Sequence, residues 1–132
     1  MKTILALIEG GDADAAILEA AHTLARTADG HIDVLHVDLT ALDASGYTPQ
    51  GDFARGAALE NALEALDARR TKTAEAARAA YMALCARQGI AEVNEPAKTK
   101  GVTAHWYRES SAELDRLIEM ARHRDLIICG HP

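Results

Sequence analysis

Two short stretches carry the residues best suited to holding a small ligand. Glu9-Gly10-Gly11-Asp12 follows the first apolar run, and Gly130-His131-Pro132 ends the sequence. Glycines let the backbone approach a ligand closely, and a helix starting just after them points its free amides at an anion. A carboxylate at Glu9 can accept a hydrogen bond from a ribose hydroxyl or an adenine amine. The same residues also make a tight strand-to-helix turn with a solvated Glu9, and that reading stands beside the first. The spacing is neither a G-x-G-x-x-G fingerprint nor a Walker-type phosphate loop.

Six histidines raise the question of a metal. His31 and His36 are five apart on one apolar segment, so in a strand they face opposite ways and cannot share an ion. His36 reads as a packed, hydrogen-bonded core histidine. His131, Cys129 and Glu9 would need a fourth ligand for zinc, so no metal is expected. Cys85 and Cys129 lie in apolar surroundings without a C-x-x-C spacing, which predicts buried thiols rather than a disulfide. No Ser/His/Asp set or carboxylate pair has a spacing that supports catalysis. Arg69-Arg70-Thr71-Lys72 reads as a solvated helix face, and Trp106 as a residue packed against a helix.

The elements that must position these residues follow from hydrophobic periodicity. Thr3 to Ile8 is a short apolar run of the kind buried on both faces of a parallel sheet. Asp12 or Asp14 starts a helix whose Ile17, Leu18, Ala21, Leu24, Ala25 and Ala28 repeat with a 3.6-residue period, and Gly30 ends it. His31 to Asp38 is a second strand, and Leu39 to Arg55 a long connector. A long helix from about Gly56 to Gln88 has Leu59, Leu63, Leu66, Thr73, Ala77, Ala80, Tyr81 and Leu84 as its buried side and stops at Gly89. Glu92 to Gly101 reads as a loop and Val102 to Arg108 as a third strand, with Trp106 and Tyr107 on opposite faces. Ser110 to Glu113 fits a capping box for a helix burying Leu114, Leu117, Ile118 and Ala121. Asp125 to Cys129 is a fourth strand. The order βαβαβαβ demands right-handed crossovers and an α/β fold: a Rossmann-like open parallel sheet with helices on both faces. Ligands in such sheets sit beyond the carboxyl ends of the strands, where the strand order reverses, here between the first and fourth strands.

With 132 residues the chain makes one domain, 1–132. Aromatics are 4% of residues and the net charge is −6. This argues against base stacking, phosphate-backbone binding and anionic membranes. No apolar run approaches a membrane span, so a cytoplasmic location is expected.

The ordered set of segments resembles the universal stress protein family. "KTILALIEGGDADAAILEAAHTLA" is similar to its opening strand, turn and first helix, with Glu9 where the family usually has Asp. "DVLHV" resembles its second-strand signature, and "SSAELDRLIEMARHRDLIICG" its third helix and fourth strand. The resemblance implies a Rossmann-like sheet in the order 3-2-1-4-5. It also implies, in the nucleotide-binding branch, an ATP or AMP site at Glu9, Gly10, Val37 and Gly130, with Gly11 and His131 beside them. That branch carries a G-x-x-G-x(9)-G-[ST] phosphate loop, of which only the first glycine has a match here, at Gly130. A fifth strand, the usual dimer edge of the family, is also expected to be missing. "GHP" and Trp106 resemble the first half of tandem, two-domain members, so the domain is expected to be incomplete at its C-terminus. The function these features imply is a non-catalytic stress-response module. It would act as a homodimer or beside a second domain of its kind, with adenine-nucleotide binding, and at most slow ATP hydrolysis, as the alternative.

Overall fold

Apolar runs alternating with amphipathic helices build one parallel sheet. The computed structural model describes residues 2–38, 57–93, 101–110 and 112–130. Five strands and three helices run in the order β1 Thr3–Ile8, α1 Asp14–Arg26, β2 His31–Asp38, α2 Ala57–Gln88, β3 Ala91–Glu92, β4 Thr103–Ser110, α3 Leu114–Arg122 and β5 Leu126–Ile128. The sheet order is β3-β4-β2-β1-β5, and every pairing is parallel. Read across the four strands expected from the sequence, this is the order 3-2-1-4. The expected loop from Glu92 begins instead with a two-residue strand, β3, on the outer edge of β4. It pairs only with Thr103 and Ala104. A strand this short carries no periodicity, which is why the sequence hides it.

Strand alternation sorts the sheet into two faces. Ile4, Ala6 and Ile8 register with Ile32, Val34 and His36. With Ala104 and Trp106 they form one face, covered by Ile17, Leu18, Ala21 and Ala25 of α1 and Ala77, Tyr81 and Leu84 of α2. Ile4, Ile32, Tyr81 and Leu84 are fully buried, and each of the three aliphatic side chains is worth about 1.5–3 kcal/mol of burial. Both crossovers toward β4 run in one direction, so α1 and α2 share this face. The return to β5 reverses direction, which places α3 over the other.

The second face carries Leu5, Leu7, Leu35, Asp33, His105 and Tyr107, and its cover is thin. No residue of α3 is buried. Leu114 is 60% exposed and Ile118 46%, so the expected burial of Leu114, Leu117, Ile118 and Ala121 is corrected. The 3.6 period correctly aligned these side chains, but nothing opposite fills the stripe. Leu24 of α1 and Ala28 just after it are also exposed, as are Leu59 and Leu63 of α2.

Three helix ends differ from expectation. The N-cap of α1 is Ala13, without a side-chain cap. The left-handed residue after α1 is Asp29, not Gly30. The capping box at α3 is replaced by a local turn, with the Ala112 amide donating to Ser110 Oγ at 3.2 Å. Gly89 does end α2 in the left-handed conformation, and the Ile90 amide reaches back to the Cys85 carbonyl at 3.0 Å. Among the described residues no helix is long and apolar enough to cross a membrane. The connector 39–55, His131 and Pro132 lie outside the described residues.

Candidate functional site

The site follows from a mismatch in length. A 32-residue helix is about 48 Å long at ~1.5 Å per residue. The six- and eight-residue strands β1 and β2 span only about 20–27 Å. Only the C-terminal half of α2, at Ala74, Ala77, Tyr81 and Leu84, is buried. Its N-terminal half overhangs the carboxyl ends of β1 and β2 and borders a half-open cavity of about 530 Å³. Leu7, Ile8, Leu35, Val37 and Leu66 make its apolar wall. Glu9, His36 and Asp38 enter from the strand ends, and Arg69, Arg70 and Thr73 from the helix.

The sequence-derived site residues divide here. Glu9 and Val37 line the cavity. Gly10 lies beside it with φ +86°, pressed so closely on α2 that an added Cβ would stand 2.3 Å from the Thr73 carbonyl oxygen. Gly130 lies against Ile17 and Ala13 at the start of α1, and Gly11 faces open space. Neither glycine belongs to the cavity lining. The sequence directed attention to the reversal between β1 and β5, whereas the cavity lies on the β2 side, because α2 overhangs there.

The β1–α1 turn has its own anion. Asp14, 3% exposed, accepts from the Glu9 amide through Oδ1 at 2.9 Å and from the Gly10 amide through Oδ2 at 2.7 Å. The amides of Glu9 and Gly10 are therefore occupied from within. Asp14 is not a cap for the amides of its own helix; it reaches back and locks the turn.

His36 is buried, as its place in the pattern requires. The Ile8 carbonyl can only accept, so Nδ1 donates to it at 3.1 Å. The ring stacks on Trp106 at 6.4 Å with planes 8° apart, and Trp106 packs against Tyr81 at 5.6 Å. Nε2 lies 3.4 Å from Asp38 Oδ1, which has no hydrogen-bond partner among the described residues, while Asp38 Oδ2 accepts from Arg108 Nε at 2.6 Å.

A second polar cluster occupies the other face. His31, fully buried, meets Thr103 Oγ1 at 2.8 Å through Nδ1 and donates to Asp33 Oδ1 at 2.8 Å through Nε2. Arg124 Nε donates to Asp33 Oδ2 at 2.5 Å. Burial works to raise the Asp33 pKa. The hydrogen bond and charge of His31, together with the charge of Arg124, outweigh burial and hold the carboxyl below the ordinary range. A hydroxyl, an imidazole and a carboxylate thus stand in line, a grouping no sequence spacing revealed. Thr103 and His31 are too buried to meet a substrate. The chain of bonds instead ties the α3–β5 junction to the sheet, helped by Asp125, which pairs with Thr3 through backbone and side chain.

Cys129 is exposed, not buried, because β5 is an edge strand. Cys85 is half-buried, and burial pushes its thiol up, away from the reactive thiolate. Among the described residues no three His, Cys, Asp or Glu side chains converge as metal ligands.

This order of parallel strands with two helices on one face and one on the other has solved counterparts. The universal stress protein UspA from Lactobacillus plantarum superposes with a TM-score of 0.57 at 14% identity, over 99% of this chain and 77% of that one. A protein from the universal stress protein family from Burkholderia pseudomallei gives 0.56 at 20% identity, over 98% and 81%. The chain has the universal stress protein fold. No family model and no curated protein matches its sequence. In this universal stress protein fold, β5 takes the fourth strand's place beside β1, and the cavity lies at the carboxyl ends of β1 and β2.

The sequence reading missed Leu66, Arg69, Arg70 and Thr73 as cavity residues. The signal was present: a helical pattern of more than thirty residues cannot be covered by strands of six to eight.

Proposed function

We propose that this chain is a non-catalytic, cytoplasmic regulatory module of the universal stress protein type. It acts by pairing with a second copy of itself or a second domain of the same fold. The observation that carries this reading is the apolar surface on its last two elements. Leu126 and Ile127 of edge strand β5 are 37% and 44% exposed, and Leu114 and Ile118 of α3 add to them. An apolar strand edge paired on one side only is a template for another strand. Sedimentation velocity over a concentration series tests the homodimer, with Ile127→Lys as the disrupting variant. The wild type should associate and the variant remain monomeric. A wild type that stays monomeric at the highest concentration, or a variant that associates equally well, would refute pairing through this edge.

The cavity favours a second reading, an adenine-nucleotide site. Its apolar wall suits a purine, and Glu9 and the end of β2 at Val37 offer polar partners beside it. Acid extraction of the purified protein, followed by titration with a fluorescent ATP analogue and competition by AMP, tests this. Released nucleotide, or saturable binding in the micromolar range, supports the reading. Absence of both rejects it.

A further inference from the structure

We infer that Arg69 and Arg70 of α2, rather than the β1–α1 turn, form the anion subsite of the cavity, so that it takes a mononucleotide with its phosphate turned toward the overhanging helix. This rests on the adenine-nucleotide reading and deepens it. The first support is exclusion. A strand-to-helix turn is the ordinary resting place of a phosphate, but here its first two amides, those of Glu9 and Gly10, are both held by the buried Asp14 carboxylate, and the Asp14 amide donates to the Gly11 carbonyl. A phosphate at that turn would find those donors taken and meet a like charge in a poorly solvated place.

The second support is the opposite wall. Arg69 and Arg70 both line the cavity. Arg69 is exposed. Among the described residues the Arg70 guanidinium contacts Asp67 at a long 3.4 Å, and its Nε has no hydrogen-bond partner. A planar fork so weakly held can turn to a phosphate and bind it bidentately. Among the described residues the acids lining the cavity are Glu9 and Asp38, and Asp38 is already paired with Arg108. The positive charge of the lining is therefore supplied by α2, from Arg69 and Arg70. Two arginines suit one phosphate, and a longer chain reaching the turn would meet the Asp14 carboxylate.

Calorimetric titration of the full chain with AMP and with adenosine reads this directly. The wild type should bind AMP about tenfold more tightly than adenosine, the scale of one charge-assisted hydrogen bond. The preference should shrink as salt is raised. Arg69→Gln and Arg70→Gln should each erode it while leaving adenosine affinity in place. Arg78→Gln, on the same helix but over the Trp106 ring, controls for bulk charge and should keep it. An AMP preference that survives both substitutions, or is lost equally in Arg78→Gln, overturns the arginine subsite and leaves the nucleotide reading intact. Equal binding of AMP and adenosine by the wild type overturns it likewise. Binding of neither ligand overturns both readings.

Discussion

Three glycine-to-alanine substitutions separate the forces that join the β1–α1 turn to α2. At Gly11 the added Cβ meets nothing within 4 Å and φ is ordinary, so stability should change by no more than about 0.5 kcal/mol. At Gly89 the surroundings are equally open but φ is +63°. This isolates the backbone cost of a side chain in the left-handed region, about 1 kcal/mol. At Gly10 φ is +86° and the Cβ would stand 2.3 Å from the Thr73 carbonyl oxygen, where ordinary contact begins at 3.4 Å, so 3.4 − 2.3 = 1.1 Å must be relieved. The obstacle is helix backbone, and relief means moving α2 off the strand end. Overpacking of this kind costs about 1–3 kcal/mol, which with the backbone term gives a loss of about 2–4 kcal/mol. Urea unfolding followed by circular dichroism measures all three, with the slope checked for two-state behaviour. If Gly10→Ala costs no more than Gly89→Ala, α2 does not press on the turn and the cavity is misplaced.

The Asp33 cluster predicts a defined acid response. Its folded pKa lies below the unfolded value, so its contribution is complete above about pH 4 and is lost as pH falls through the folded value. Asp33→Asn should therefore flatten the dependence of the urea midpoint on pH below about pH 4. An unchanged slope would remove Asp33 from the acid response. Burial along α2 makes a further contrast. Leu84→Ala, fully buried, should cost about 2–5 kcal/mol, whereas Leu63→Ala on the 41%-exposed overhang should cost less than about 0.5 kcal/mol. Equal losses, measured by the same unfolding assay, would mean that the overhang is covered.

The sequence by itself determined the class of the fold. Buried runs such as Thr3–Ile8 and His31–Asp38, separated by helical periods, admit little besides a parallel sheet, and handedness then sets which side of it each helix takes. It also determined which side chains share a face, and so foretold the packed His36 and the helix-facing Trp106. What the tertiary structure alone decided was what stands opposite each face. The stripes of α3 and of the first half of α2 have the right period and remain exposed, and Cys129 is exposed because β5 has one neighbour. The cavity exists because one helix outruns its strands, and the turn expected to greet an anion is already filled by Asp14. Periodicity is a property of one segment and can be read along the chain. Burial and occupancy belong to pairs of segments distant in sequence, and they arise only when the chain has closed.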